Sequence, residues 1–244
     1  MEPVAAAGAD KAPAQDEPTG KHPLSPLPVG LNPAAAPGGS TMPSNRKTGL
    51  DYWNAKQVVN FRDIGEFVNL IAGADLLPVG RLFRGGTLRH VESLDAVGSP
   101  RTIFNLQKGS DPEFAGVVNH HFPISNDYEK YETTTPEVRA WLRRIVAVVE
   151  QGVALPLYIH CLSGKDRTGV VTATLLSLLG IPRECIIQEY LLSEGKVDQQ
   201  FIETALDGIT PLARTFHRVD LPRVRSELLG TPRQAEPPAS RPPA

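Results

Sequence analysis

An apolar strand, a charged loop and an apolar helix follow one another in residues 154–180, and this order limits the folds open to the chain. The segment ALPLYIH at 154–160 is short and continuously apolar, which is typical of a buried strand. The loop HCLSGKDRTG follows at 160–169, and a helical pattern of apolar residues extends from Thr168 to Gly180. A strand joined to a helix in this way predicts a unit of an α/β layer.

The rest of the central chain alternates strand and helix signals in the same way. Thr135 is placed to cap a helix, Pro136 suits its first turn, and Gly152 ends it. Further helical signal extends from Pro182 to about Leu229. Short β-like segments occur at residues 57–61, 81–83, 101–106 and 120–124. We therefore expect an α/β fold with a central mixed sheet flanked by helices and a helical C-terminal part.

The two ends of the chain differ from its centre in composition. Residues 1–44 contain nine Pro, nine Ala and five Gly, and residues 231–244 contain five Pro. Such segments bury too little apolar surface to offset the entropy of ordering them. We expect disordered tails at 1–46 and 231–244, and one domain at 47–230, a length that suits a single core.

Charge and hydropathy exclude several classes of protein. The 25 basic and 27 acidic residues nearly balance, whereas a general nucleic-acid binder is usually basic. No apolar run approaches the length of a membrane span, and the first residues, MEPVAAAGAD, lack the features of a signal peptide. We expect a soluble, cytoplasmic protein in which the two cysteines, Cys161 and Cys185, are free thiols.

The loop at 160–169 has the composition of a phosphate-binding site. Between a buried strand and a helix N-terminus, its backbone N–H groups can converge on an anion, and Gly164 permits the tight curvature. Arg167 offers two parallel donors to phosphate oxygens. The same positive field favours the thiolate of Cys161, which can attack phosphorus and form a phosphocysteine.

Other residues in and near this loop have supporting roles. Thr168 can hydrogen-bond the sulfur and help it leave, and His160 is expected to hold the loop backbone. Arg62 and Asp63 could form a structural ion pair close to the site, and Arg84 could brace the loop. The predicted substrate-binding residues are Leu162, Ser163, Gly164, Lys165 and Thr168.

The order His-Cys, five residues, Arg-Thr resembles the loop of the cysteine-dependent phosphatases. The chain is most similar to bacterial tyrosine-phosphatase-like proteins that also remove phosphate from inositol lipids, which share the sequence GKDRTG found here at 164–169. The segments NFRDIG at 60–65 and GRLFRGGTL at 80–88 also resemble that group. Over residues 56–208 the resemblance implies the cysteine-phosphatase fold, a mechanism without metal or other cofactor, and a phosphate site at 161–167.

One departure from that group lies on a predicted strand. Members often carry Asp-Leu-Arg where this chain has Asn105, Leu106 and Gln107, so an acid and a base are missing here. We expect Asn105 and Gln107 to keep local hydrogen bonds and to have no direct role with substrate.

The sequence predicts a phosphomonoester hydrolase of the protein-tyrosine or dual-specificity type, with Cys161 as nucleophile and Arg167 as phosphoryl ligand. Two aspartates compete to protonate the leaving oxygen. Asp127 lies 34 residues before Cys161 on a loop after a strand, a separation common among cysteine phosphatases. Asp166 lies in the loop itself, as in myotubularin-like lipid phosphatases. Asp166 is favoured, because a fixed negative charge there weakens phosphate binding unless it serves as a proton donor.

Lys165 indicates the class of substrate. A second cation at the loop rim contributes most to binding if the substrate carries further negative charge, as a phosphoinositide does. The alternative is that Lys165 only neutralises Asp166. The expected partners are therefore phosphorylated proteins or inositol lipids. Two other classes use a similar loop: a pseudophosphatase that binds phosphorylated partners without turnover, and a rhodanese-like sulfurtransferase, whose loop is usually shorter and lacks Asp-Arg-Thr.

Overall fold

The computed structural model describes residues 58–230. The tails predicted at 1–46 and 231–244 lie outside the described residues. Within 58–230, no helix combines the length and the apolar character needed to cross a membrane.

A five-stranded mixed sheet forms the centre of the fold. The strands lie in the order β1-β2-β5-β3-β4, and β1 is antiparallel to β2 while the other neighbouring pairs are parallel. The strand that precedes the charged loop, β5, is therefore the central one. The strands are β1 (Arg62–Asp63), β2 (Leu82–Gly85), β3 (Thr102–Asn105), β4 (Val118–His121) and β5 (Leu157–His160).

Seven α-helices accompany the sheet in the described residues, and four of them form the predicted helical C-terminal part. They are α1 (Ile64–Ala72), α2 (Pro136–Gln151), α3 (Asp166–Leu179), α4 (Arg183–Leu191), α5 (Gln199–Ile209), α6 (Leu212–Thr215) and α7 (Leu221–Leu229). A short 3-10 helix covers Leu94–Val97. The α/β class and the mixed sheet predicted from sequence are confirmed.

The sheet separates two apolar clusters, because successive side chains of a strand point to opposite faces. Phe104 and Ile159 belong to the larger cluster, into which all seven α-helices pack. Ile103 and Tyr158, one residue earlier on β3 and β5, belong to a smaller cluster that includes Val97 of the 3-10 helix. Cys161 belongs to the larger cluster, on the side of α3, which begins five residues later.

Several element boundaries differ from those predicted. The strand predicted at 57–61 is wrong over its described part, where Val59 and Asn60 form a turn. Asn60 has a φ of 56°, and its side chain donates to Ser163 O (2.8 Å) and accepts from Glu194 N (2.7 Å). The turn thus bridges the charged loop and the segment after α4.

Three further differences have local causes. The strand predicted at 120–124 is β4, which begins two residues earlier and ends before Pro123, a residue without an N–H for the ladder. Helix α3 begins at Asp166, not at Thr168. Helix α1 was not predicted; the side chain of Asp63 caps it by accepting from Gly65 N and Glu66 N.

Helix α2 has the predicted bounds, Pro136 to the residue before Gly152. Thr135 occupies the cap position, but its hydroxyl donates to Glu132 O (2.9 Å) and makes no capping bond. The buried Trp141 fixes the helix against the sheet by donating from Nε1 to Phe122 O over 2.9 Å.

Candidate active site

The charged loop lies at the carboxyl end of the central strand. Cys161 directly follows β5 and is only 2% exposed, and the chain enters α3 at Asp166. The structure therefore brings residues 161–168 into the strand–loop–helix arrangement in which backbone N–H groups and a helix N-terminus favour a bound anion. Leu162 and Ser163 are half-buried within it.

Gly164 lets this loop contact the chain after β2. Its φ is +67°, and a Cβ at this position would lie 2.3 Å from the carbonyl carbon of Gly85. A Cβ on Gly86 would lie 3.0 Å from Leu162 O, and the next residue, Thr87, donates from its N–H to that oxygen over 3.1 Å. The Gly85-Gly86 pair at the end of β2 is thus part of the candidate site, because only glycines allow so close an approach of the two backbones.

A buried ion network supports the loop from below. Arg84 donates from Nη2 to Gly164 O (2.9 Å) and from Nη1 to Glu189 Oε2 (2.6 Å). Arg62 donates from Nε to the other oxygen, Glu189 Oε1, over 2.7 Å. The predicted bracing role of Arg84 is confirmed. The predicted ion pair of Arg62 with Asp63 is wrong, since Arg62 pairs with Glu189 and Asp63 caps α1.

The network carries two positive charges and one negative charge. Burial on its own raises the pKa of Glu189, but Arg84 and Arg62 outweigh it, and the net shift is downward. Burial, with the charge of Arg62, lowers the pKa of Arg84 to about 10, against the attraction of Glu189. All three groups are therefore charged at neutral pH, and one net positive charge remains beside the loop.

Arg167 is anchored at the carboxyl end of β3. It donates from Nη1 to Leu106 O over 2.8 Å, which leaves other guanidinium donors for a ligand. On either side of Leu106, the polar residues bond locally: Asn105 Nδ2 donates to Gly109 O (2.9 Å), and Gln107 N donates to Asn105 Oδ1 (2.9 Å). The prediction of local hydrogen bonds for Asn105 and Gln107 is confirmed.

His160 holds a carboxylate and not the loop backbone, so that expectation was wrong. Its Nε2 lies 2.8 Å from Oδ2 of Asp111, and both side chains are fully buried. Asp111 also accepts from Gln107 Nε2 (3.1 Å) and Asn119 Nδ2 (3.2 Å). A cavity of about 430 Å³ adjoins Asp111 on the β3–β4 side, and none of its lining residues comes from the loop at 160–169.

The two predicted acids occupy different positions. Asp166 Oδ1 accepts a hydrogen bond from the Tyr131 hydroxyl over 2.8 Å, and the Asp166 side chain is 45% exposed. Asp127 is exposed on the loop between β4 and α2 and bonds Ser125 Oγ over 2.6 Å. Both residues lie in the region of the candidate site, but only Asp166 belongs to the charged segment at 160–169.

Lys130, on the loop between β4 and α2, lies near Arg167. Burial lowers the pKa of Lys130, the charge of Arg167 lowers it further, and the carboxylates of Glu129 and Asp127 oppose the shift. Lys130 was not predicted as a site residue, since nothing in the sequence around it marks a contact with Arg167, 37 residues later.

Lys165 turns towards the chain after α4. Its Nζ donates to Lys196 O over 2.8 Å, whereas the distance from Nζ to Asp166 Oδ1 is 3.7 Å.

Thr168 is fully buried, and within residues 58–230 its hydroxyl has no hydrogen-bond partner, so the expected bond to sulfur is not made. Both cysteines are free as predicted; Cys161 is buried and Cys185 is partly exposed.

Comparison with known proteins agrees with this geometry. Residues 53–230 match the family model of the tyrosine phosphatase family. The chain belongs to this family. The cysteine-phosphatase fold implied by the sequence resemblance is thereby confirmed.

Individual relatives share shorter segments. The chain is 33% identical over 122 residues to the triple specificity protein phosphatase PtpB of Mycobacterium tuberculosis, covering 46% of this chain and 43% of that protein. A tyrosine-protein phosphatase of Nostoc commune is 34% identical over 65 residues, 27% of this chain and 21% of that protein. The chain thus spans less than half the length of these curated relatives.

Among solved structures, the chain matches the core catalytic domain of the PP-IP phosphatase SIW14 from S. cerevisiae in complex with citrate. It has a TM-score of 0.43 and 19% sequence identity, and the match covers 66% of this chain and 94% of that chain.

Within the tyrosine phosphatase family, the arrangement has the parts needed for nucleophilic substitution at phosphorus. A thiol lies at the base of a loop whose N–H groups precede a 14-residue helix, and Arg167 retains donors for phosphate oxygens. The buried pair of arginines adds positive charge from below, and Asp166 at the rim offers a carboxyl group for proton transfer.

Proposed function

We propose that this protein is a phosphomonoester hydrolase that acts through a phosphocysteine intermediate, on phosphotyrosine proteins and on phosphoinositides. The observation that carries the proposal is the position of Cys161 between the central parallel strand and the N-terminus of α3, with Arg167 in the first turn. Membership of the tyrosine phosphatase family supports it.

The reaction proceeds in two steps without metal or other cofactor. The Cys161 thiolate attacks phosphorus, the S–P bond forms, the ester P–O bond breaks, and the leaving oxygen takes a proton from an aspartic acid. Water then attacks phosphorus and gives up a proton to that carboxylate, and the S–P bond breaks to release phosphate and the thiolate. Arg167 and the N–H groups of the loop stabilise charge on the phosphoryl oxygens, and Leu162, Ser163, Gly164, Lys165 and Thr168 complete the substrate site.

Asp166 is proposed as the proton donor over Asp127 because it lies in the first turn of α3, one residue before Arg167, where a fixed negative charge would weaken phosphate binding. Asp166→Asn should lower the turnover of esters with poor leaving groups far more than that of esters with good ones, because only the former need the proton. A series of aryl phosphates measures this dependence. The reverse result, with Asp127→Asn alone showing the dependence, would assign the acid to Asp127.

Lys165 supports the proposal that polyanionic substrates are accepted. Its bond to Lys196 O keeps the ammonium group at the rim, farther from Asp166 than a direct hydrogen bond requires. The name of the mycobacterial relative, a triple specificity phosphatase, points to similarly broad use of substrates.

Replacement of this cation tests the substrate class. Lys165→Ala should reduce phosphoinositide turnover about tenfold more than phosphotyrosine turnover, the equivalent of about 1.4 kcal/mol of selective contact. Lys196→Ala is a matched control, because it removes a neighbouring ammonium group but keeps the backbone carbonyl that Lys165 contacts. Equal losses on both substrates would show that Lys165 serves the loop and not the head group.

A catalytically weak pseudophosphatase that binds phosphorylated partners is the alternative function. Phosphate release from a chromogenic ester separates the two, since a binding module gives none; a rhodanese-like sulfurtransferase would give none either. Cys161→Ser should abolish release, and normal turnover of that variant would refute the covalent mechanism.

We place the phosphatase domain at 47–230, with the Pro-rich segments as tails, and the two free cysteines support a cytoplasmic location.

A further inference from the structure

Tyr131 connects a cluster of aromatic side chains to the rim of the proposed active site. It lies in the loop before α2 and is 5% exposed, and its hydroxyl donates to Oδ1 of Asp166, a side chain that is 45% exposed. The buried Tyr131 hydroxyl thus donates to one oxygen of a side chain that is otherwise partly exposed to solvent.

Neighbouring aromatic rings fix the position of this hydroxyl. The Tyr131 ring stacks on Phe201 of α5 with centroids 5.1 Å apart, and meets Tyr190 of α4 edge-on at 6.1 Å. Tyr190 itself packs so closely on α3 that a Cβ on Gly169 would lie 2.8 Å from its ring. Three helices therefore hold Tyr131, and its hydroxyl cannot follow the carboxyl group if that group rotates.

The direction of the hydrogen bond follows from the available protons. The hydroxyl groups of Tyr131 and Tyr190 are 2.8 Å apart, and Tyr131 has a single proton to donate. An ionised Asp166 can only accept, so Tyr131 donates to Asp166 and Tyr190 donates to Tyr131. Burial raises the pKa of Tyr131, and the bond to Tyr190 and the charge of Asp166 raise it further, so the phenol stays protonated at neutral pH.

We propose that Tyr131 is a positioning residue that directs the acidic proton of Asp166 to its outer oxygen. The inference rests on the proposed function, in which Asp166 is the acid. While Oδ1 accepts from Tyr131, the proton of the neutral acid resides on Oδ2, to which no hydrogen bond extends from residues 58–230. That oxygen is free to meet the leaving group.

The same bond strengthens during the reaction. As the ester P–O bond breaks, the proton leaves Oδ2 for the leaving oxygen, and Asp166 becomes a carboxylate. A hydrogen bond to a carboxylate is stronger than one to a neutral acid. Tyr131 therefore stabilises the transition state of proton transfer more than the ground state, and its loss should appear in kcat and not in KM.

Tyr131→Phe, which keeps the ring and removes the donor, tests the inference. Turnover is measured on aryl phosphates with good and poor leaving groups. We expect kcat for the poor leaving group to fall about tenfold, with kcat for the good leaving group and both KM values changed less than twofold. Retained turnover of the good leaving group shows that the variant is folded.

Two matched variants separate positioning from a merely structural role. Tyr190→Phe removes the hydroxyl–hydroxyl bond but keeps the donor to Asp166, so the ratio of the two turnover numbers should stay at the wild-type value. Tyr128→Phe makes the same chemical change at an exposed position of the same loop and should also keep the ratio. Equal losses of Tyr131→Phe on both esters would overturn the inference.

The double variant distinguishes failure of this inference from failure of the proposed function. In an Asp166→Asn background, Tyr131→Phe should cause no further loss on the poor leaving group, because the proton it directs is absent. If Asp166→Asn shows no leaving-group dependence, the assigned acid is wrong. If Asp166→Asn shows it and Tyr131→Phe does not, only the positioning role is refuted.

Discussion

Replacement of Glu189 by Gln should destabilise the fold strongly. The carboxylate of Glu189 bonds Arg62 Nε at 2.7 Å and Arg84 Nη1 at 2.6 Å, and side-chain exposure is at most 5% in all three residues. The Gln side chain has nearly the same volume, but its amide removes the negative charge from both arginines at once. Two guanidinium charges would then remain buried beneath the active-site loop.

The magnitude follows from the burial. Removing one partner of a buried ion pair costs about 3–5 kcal/mol, whereas an exposed pair contributes about 0–1 kcal/mol. The whole free energy of unfolding of a domain is about 5–15 kcal/mol, so the loss is a large part of it. In a domain of this size about 1 kcal/mol corresponds to about 2–4 °C, and Tm should therefore fall by about 6–20 °C.

Thermal and urea unfolding at neutral pH measure the loss. Glu184→Gln is the matched control, because Glu184 is exposed on the same helix, and its unfolding free energy should change by about 0.5 kcal/mol or less. A loss below about 1 kcal/mol for Glu189→Gln would refute the assignment of a buried, charged network.

The pH dependence provides a second check. The folded pKa of Glu189 is depressed below its usual value of 4.5, so its contribution to stability is present above that pH and is lost as the pH falls through the folded pKa. The difference in unfolding free energy between wild type and Glu189→Gln should therefore be largest at neutral pH and narrow in acid. A difference that stays constant down to acid would contradict the charged state.

Two further substitutions test the loop and His160, the residue before the proposed nucleophile. Gly164→Ala should lower kcat/KM for a chromogenic phosphate ester at least about tenfold and lower Tm, because its Cβ would collide with the Gly85 backbone at 2.3 Å. Gly73→Ala, with a similar φ of +63° but open space around it, should lower Tm slightly and leave kcat/KM unchanged; similar activity losses would refute the collision argument. Asp111→Asn should lower the unfolding free energy by about 1–3 kcal/mol, because the buried bond to His160 loses its charge, and an unchanged urea midpoint would contradict this.

The sequence by itself determined the elements whose signals are local. The apolar run before Cys161, the loop composition and the helical pattern after it predict β5, the loop that follows it and α3, because each depends on neighbours within about ten residues. Helix α2 was predicted with its bounds for the same reason, since its Pro, its apolar face and its terminal Gly lie within one segment.

Only the tertiary structure decided which side chains support the loop. Arg84 meets Glu189 105 positions away, His160 meets Asp111 49 positions away, and Tyr131 meets Asp166 35 positions away. No local pattern marks these partners. The two-residue strand β1 is a further case, since it exists only through its pairing with β2. Such contacts form because the sheet and the helical layer bring distant segments together, and burial then favours pairings between opposite charges and between hydrogen-bond donors and acceptors.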